Sequence, residues 1–463
     1  MNCDVFFIIK TEYITPIRPV ICIPVNKIDM SFKKCCVLLL VLPALFVSCN
    51  TSKSPLFGKR SAYEKYADKI NDAGLSNTQM GREWLRAGEV SLAKPQSINV
   101  PFRETGFFAA ETPSAAGYIF NAKRGEKIVV NVSTVPVNGI LFFGEIWQPG
   151  NTDTSLLTVM DTLNNQIEYT VKKDASFILR LQPELLINVE YTVTITTGPS
   201  LAFPVDRSGK PRIISTWGAN RDAGARNHEG VDIRAEFRTP ALAATDGIIT
   251  RVNLNNLGGK VVFLNAEKAP YSLYYAHLDS QMVSQGQRVR AGDVIGLIGT
   301  TGNARGTVPH LHFGIYTTGG AIDPLAFIDT PRIKPAPILA STGLLHQWLR
   351  TDAMTEMYEV PSTKSIRVQK VEKGTAAFVL AASDNYYKIK LPDGATGYIR
   401  SESLTDKILR QQKADKETKL LASPEINAPA KSTIAKGNSL KVIGSYNNFY
   451  LVSEDNIQGW ITK

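Results

Sequence analysis

His310-Leu311-His312-Phe313 is the stretch on which the reading of this chain turns. In a strand, alternate side chains leave opposite faces, so Leu311 and Phe313 point into a core while His310 and His312 stand together on the other side. Two imidazoles about 7 Å apart on one strand face can serve a single site. Working outward, Tyr274-Tyr275-Ala276-His277-Leu278 is a second β-rich segment carrying one more histidine. Further upstream, His228-Glu229-Gly230-Val231-Asp232 places a histidine four residues before an aspartate. That spacing puts both on one side of either a helix or a strand.

The chain has five histidines, and four of them fall within the 85 residues from 228 to 312. The fifth, His346, reads as a solvated surface residue of a connector. One histidine on a strand is more often a satisfied polar residue than a ligand; four of them with Asp232 favour a metal centre. Imidazole nitrogen and carboxylate oxygen both bind zinc, at roughly 2.0–2.2 Å. A catalytic zinc keeps three protein ligands and one position for water, so five candidates leave a surplus. That surplus is what chemistry requires. Zinc brings the pKa of its water to about 7, and an imidazole beside that water titrates in the same range and can take its proton.

Composition bounds the rest. At 463 residues the chain is long enough for three to five domains. With 43% hydrophobic and 20% charged residues it is an ordinary globular protein. The net charge of +10 suits an anionic partner such as cell wall or membrane surface, or simply a solubilising exterior. No dense basic run with interleaved aromatics occurs, so no nucleic-acid partner is expected. The cysteines are Cys3, Cys22, Cys35, Cys36 and Cys49, with none beyond. The folded part is therefore expected to hold no disulfide, thiolate metal site or thiol nucleophile.

From Met30 onward, Lys33-Lys34, the apolar run 35–47 and Ser48-Cys49 have the layout of a secretory signal. Thirteen apolar residues are too few to span a bilayer comfortably. The segment Leu45-Phe46-Val47-Ser48-Cys49 resembles a bacterial lipobox, which implies lipidation at Cys49, a membrane anchor and a place in the cell envelope facing periplasm or exterior. A plain signal peptide or a short uncleaved anchor is the competing reading. Residues 1–29 fit a mis-called start and 30–48 a lipoprotein signal peptide, with a small polar linker at 49–60.

The expected fold is mainly β and multidomain. Tyr63, Tyr66, Ala67 and Ile70, then Met80, Trp84 and Leu85, recur at helical spacing, which predicts short helices in residues 61–94. Period-two alternation such as Ile128/Val130/Val132 and Val189/Tyr191/Val193/Ile195 predicts an accessory β-sandwich over 95–198. Residues 199–210 and 331–355 read as linkers. A repeat follows: Gly374 and Gly437, like Tyr387 and Tyr450, lie 63 apart, and Gly397-Tyr398-Ile399 returns 62 residues later as Gly459-Trp460-Ile461. The two copies, 356–405 and 420–463, resemble small bacterial SH3-like barrels. Tyr386 and Phe449 are possible wall contacts, although core packing is commoner for an aromatic in a small barrel. The charged stretch between the copies, from Ile408 to Lys419, reads as a helical or solvated connector.

Taken together, His228-x-x-x-Asp232, His277 and His310-x-His312 resemble peptidase family M23, the lysostaphin-like wall endopeptidases. Trp217-Gly218-Ala219-Asn220-Arg221, Asp246-Gly247-Ile248, Gly286-Gln287-Arg288-Val289, Ala291-Gly292-Asp293-Val294-Ile295-Gly296 and Asp323-Pro324 fall in the family's order. The resemblance covers residues 211–330. It implies a lysostaphin-like β catalytic domain, one Zn2+ per chain held by His228, Asp232 and His312, and catalytic roles for His277 and His310. It also places Asn220 and Arg221 along the substrate groove, with peptidoglycan as substrate. Gly-rich hairpins like 286–299 also occur in biotin and lipoate carriers, but those need a lysine at the tip, where this chain has Arg290-Ala291-Gly292. A non-catalytic wall-binding scaffold or hydrolase activator, or an enzyme made latent by residues 61–198 covering its groove, are the alternatives.

Overall fold

The computed structural model describes residues 60–463 apart from 152, 162, 222, 223 and 456. The leader, Cys49 and the linker up to residue 59 lie outside the described residues. Helix α1 (Ala62–Asp72) begins at a capping box, in which Glu64 N–H donates to Ser61 Oγ and Ser61 N–H to Glu64 Oε2. Helix α2 (Gln79–Ala93) is capped by the Thr78 hydroxyl. Tyr63, Tyr66 and Ile70 of α1 and Trp84 of α2 cluster on Phe143, so the pair lies against a sheet.

That sheet belongs to a two-layer β body. Its strands are β1 (Phe102–Phe108), β2 (Ala116–Ala122), β3 (Glu126–Val135), β4 (Phe142–Pro149), β5 (Ala175–Pro183) and β6 (Val189–Pro199). One layer has β2 beside β5 beside β4; the other has β1 beside β6 beside β3. Tyr118, Ile128, Val130, Phe177, Leu179 and Ile195 fill the space between them.

The next sheet positions the site. Strands β7 (Val231–Arg234), β8 (Gly247–Asn255), β9 (Gly259–Ala266), β10 (Ser272–Gln281) and β11 (His310–Thr317) run antiparallel, in the order β7, β11, β10, β9, β8. Its core includes Val231, Ile233, Tyr275, Leu311, Phe313 and Ile315, all fully buried. The expected linker 199–210 is instead part of this body. Leu201 and Val205 are buried in the same core, Leu201 N–H donates to Phe327 O and Ala202 N–H to Ala244 O. Pro204 and the short polar stretch after it look like a linker in one dimension because their partners, Leu242 for Pro204, Pro240 for Asp206 and Glu236 for Gly209, lie on segments distant in sequence.

The expected boundaries also change downstream. In the 331–355 segment, Trp348–Thr351 is a strand paired to β12 (Ala376–Ser383), and Leu345 and Leu349 are buried. His346 is not a freely solvated residue: its ring packs on Phe107 and Phe378 and its Nε2 meets Glu111 at 3.2 Å. Between the repeats, Arg410–Lys413 is a strand paired with Ser439–Tyr446, not a helix or free connector. Tyr386 and Phe449 are buried, at 5% and 7% exposure, so they are core residues and not wall contacts.

The first barrel is not a loose appendage. Thr105 and Gly106 of β1 pair with Ala382 and Ala381 of β12, making one continuous sheet across the β body and the barrel. Glu104, wholly buried beneath this seam, accepts hydrogen bonds from Tyr118 OH at 2.7 Å and from Tyr398 OH, on the barrel side, at 2.6 Å. A buried carboxylate is tolerated only when its oxygens are supplied with donors. Tyr398→Phe removes one of these donors and is expected to cost about 1–3 kcal/mol in urea unfolding; an unchanged midpoint would show that the seam does not need it.

Candidate active site

Asp232 on β7 and His312 on β11 are direct cross-strand partners, and Arg234 pairs with His310 in the same ladder. Opposed residues have Cβ atoms about 4.5–5.5 Å apart, so the pairing alone brings carboxylate and imidazole together. His228 lies in the turn before β7, where its N–H donates to Ala219 O and its carbonyl accepts from Gly218 N–H. Gly230 separates the two groups because nothing larger fits: a Cβ there would stand 2.5 Å from Phe313 O and 2.8 Å from His312 Cε1. The result is a triangle. His228 Nε2, His312 Nδ1 and Asp232 Oδ1 are each 3.0 Å from the other two.

This triangle is rich in lone pairs. His228 Nδ1 lies 2.9 Å from Thr216 O, a carbonyl that can only accept, which assigns the ring proton to Nδ1 and leaves Nε2 as a lone pair. Nε2 then faces a carboxylate oxygen at 3.0 Å, acceptor against acceptor, which repels unless a cation lies between them. Burial pushes the Asp232 carboxyl up, but the His228 and His312 rings facing it at 3.0 Å outweigh this and hold the group below the ordinary carboxylate range. Burial lowers His312, against the pull of Asp232. The three atoms form a metal-sized cluster. Their chemistry, two nitrogens and one oxygen, fits a borderline divalent ion such as zinc.

His277 and His310 flank the triangle. Their ring centroids are 4.9 Å apart, and His277 is 6.0 Å from His312. Along β10, Tyr275 faces the core while Tyr274 and Ala276 face the cleft, so strict alternation would turn His277 inward. It does not turn inward, because the ladder with β9 slips at this point and His277 adopts φ +65°. A bulge of this kind re-aims one side chain; the left-handed backbone of a non-glycine residue costs about 1–3 kcal/mol. Thr301 holds the bulge from three sides. Its carbonyl accepts from His277 Nδ1–H at 2.9 Å, its hydroxyl donates to Leu278 O at 2.8 Å, and its Oγ1 accepts from Lys260 N–H at 3.0 Å. Gly259 makes room, since a Cβ there would sit 2.2 Å from Thr301 Oγ1. His310 Nδ1 likewise meets a carbonyl, Val308 O, at 2.8 Å. Both rings thus present Nε2 to the cleft. Burial, reinforced by the neighbouring His310, pushes His277 down to about 4.

The site opens into a cleft of about 1010 Å³ that contains all four of these histidines and Asp232. Its walls include Leu257, Phe263, Tyr274, Val308 and Tyr316. Every lining residue lies between 214 and 316. Among the described residues, none from 61–198 enters it, so the expectation of a groove covered by that region has no support. Of the two expected groove residues, Arg221 lines the cleft but Asn220 is exposed and does not. They are neighbours on a two-residue ribbon, Asn220–Arg221 against Arg226–Asn227, where adjacent side chains diverge. Ser215, Thr216 and Thr301, which orient the histidines, escaped the sequence reading because two of them act through backbone carbonyls.

Residues 226–324 match the family model of peptidase family M23. The chain carries an M23 peptidase domain. Residues 351–406 match the bacterial SH3 domain, which makes the first barrel an SH3 domain. Over the M23 region the chain is 35% identical to the DD-carboxypeptidase/endopeptidase Mpg of Neisseria meningitidis across 125 residues, 27% of this chain and 26% of that one. It is 35% identical to the L-Ala–D-Glu endopeptidase of Bacillus subtilis across 127 residues, 26% of this chain and 39% of that one. The chain spans only about a fifth to two-fifths of the length of the curated relatives it matches. Among solved structures, the catalytic domain of lysostaphin from Staphylococcus simulans is similar at 29% identity, covering 26% of this chain and 92% of that one, with a TM-score of 0.24.

The purified protein is expected to retain about one divalent ion per chain by elemental analysis after dialysis, and the His228→Ala, Asp232→Ala double variant to retain none. Equal metal in both would show that the triangle is not the binding site.

Proposed function

We propose that this protein is a zinc-dependent endopeptidase that hydrolyses peptide cross-links of bacterial peptidoglycan. The observation that carries the reading is the convergence in an open cleft of His228 Nε2, His312 Nδ1 and Asp232 Oδ1, 3.0 Å from one another, beside two imidazoles whose Nδ1 atoms are committed to carbonyls. His228, Asp232 and His312 would hold the ion. Bound zinc supplies Lewis acidity and an acidified water at neutral pH. The chain's own groups do the remainder. With Nδ1–H committed to Thr301 O or Val308 O, each of His277 and His310 offers Nε2 to accept a proton from the attacking water. Once protonated, the same atom can donate to the oxyanion of the tetrahedral intermediate or to the departing amine. Arg221 remains on the cleft wall. The names of the matched relatives, acting on DD and on L-Ala–D-Glu bonds, support a peptide of the cell wall as substrate.

The same proposal covers placement. Lipidation at Cys49 would anchor the chain in the cell envelope, and the SH3 domain would hold it against the wall. The sheet continuous across β1 and β12 favours a barrel held firmly against the two-layer β body over one that swings free.

Incubation of the protein with purified sacculi is expected to release soluble peptide-linked fragments, detected by chromatography with mass spectrometry. A chelator should stop the release and zinc should restore it. His310→Ala is expected to lower the rate by about 10²–10⁴-fold while leaving bound metal unchanged. Absence of release from the wild-type protein at every zinc loading would sink the enzymatic reading and leave a wall-binding scaffold.

A further inference from the structure

The two oxygens of Asp232 are held by different partners. Oδ1 faces His228 Nε2 and His312 Nδ1, both at 3.0 Å. Oδ2 turns the other way and accepts from Arg221 Nη2 at 2.5 Å. Arg221 is itself anchored, because Nη2 also donates to Ser215 Oγ at 2.8 Å. Ser215 is no chance neighbour. It is the register partner of Asp232 on the adjoining strand Arg212–Ser215, just past a bulge after Ile213. Strand pairing therefore fixes serine, aspartate and guanidinium as one unit, and the ribbon 220–227 delivers the arginine to it.

We propose that Arg221 is a positioning residue that restricts Asp232 to ligation through one oxygen. The inference rests on the metal reading of the cluster given above. A free carboxylate can grip a cation with either oxygen or both. A two-oxygen grip would fill a position that a hydrolytic ion needs for water and for the substrate carbonyl. A charge-assisted bond to Oδ2 withholds that oxygen and fixes the carboxylate plane. Partners of this kind, standing behind the ligands, orient them, and their loss weakens metal binding. A lone cation beside a metal site would do the opposite, repelling the ion. The two effects predict opposite signs when the arginine is removed.

The test uses the full chain loaded with Co2+, whose visible absorption is strong at four-coordination and weak at six. Arg221→Met removes the donor with little change in bulk, and Arg221→Lys keeps the charge without the planar fork. Chelator competition is expected to show Co2+ and Zn2+ bound about 10–100-fold more weakly by Arg221→Met. Its cobalt bands should fall in intensity as Oδ2 joins the ion. Arg221→Lys should lie between wild type and Arg221→Met on both measures. If near-UV circular dichroism shows that Arg221→Met does not fold, Arg221→Lys carries the test alone and should shift both readouts in the same direction. Affinity within about two-fold of wild type with an unchanged spectrum, or tighter binding, overturns the positioning role alone. A wild-type protein that takes up neither ion overturns the metal reading and this inference with it.

Discussion

The candidate active site depends on one cross-strand pair, Asp232 opposite His312. Because side chains alternate with period two, the pairing that puts these groups on the cleft face also puts Val231, Ile233, Leu311 and Phe313 into the core, each with no exposed surface. The site and the hydrophobic core specify the same register. A one-residue slip of β7 would bury Asp232 and expose Val231 and Ile233, and a slip of β11 would bury His310 and His312 and expose Leu311 and Phe313, so either competing register is excluded by the cost of burying unpaired polar groups. The core holds the three facing side-chain atoms of the candidate metal site in place.

The second half of the site works against the sheet. His277 can reach the cleft only by breaking the alternation of β10, and it does so through a bulge and a left-handed backbone. Strain at one residue persists when its surroundings over-determine it. Thr301 contributes three hydrogen bonds, and His277 N–H adds a fourth to Gly258 O at 2.7 Å. Loops from both sides of the sheet thus converge on a single imidazole. The Asp232–His312 pair is set by regular pairing and the His277 imidazole by a local exception to it.

How much of this was legible in the sequence follows from the same distinction. His310 and His312 on one strand face, with Leu311 and Phe313 beneath them, could be read from period two alone. So could the mainly β character of the chain and the helices at Tyr63 and Trp84. The bulge at His277 could not be read, because alternation predicts the wrong face for it. Thr216 and Thr301 were invisible because their carbonyls do the orienting, and a carbonyl has no residue type. Leu201, Val205, Trp348 and Arg410 were assigned to connectors because the strands that complete them are distant in sequence. Tyr386 and Phe449 take the commoner of the two roles open to an aromatic in a small barrel, that of core residue.

The measurement that bears most directly on the central claim is X-ray absorption spectroscopy of the zinc-loaded full chain. The account predicts a four-coordinate shell of two imidazole nitrogens, one carboxylate oxygen and one further light atom from solvent, all at about 2.0–2.2 Å. A shell of three or more imidazoles, or an octahedral shell of water oxygens, would contradict it: the first would make a ligand of His277 or His310, and the second would mean that the triangle does not hold the ion.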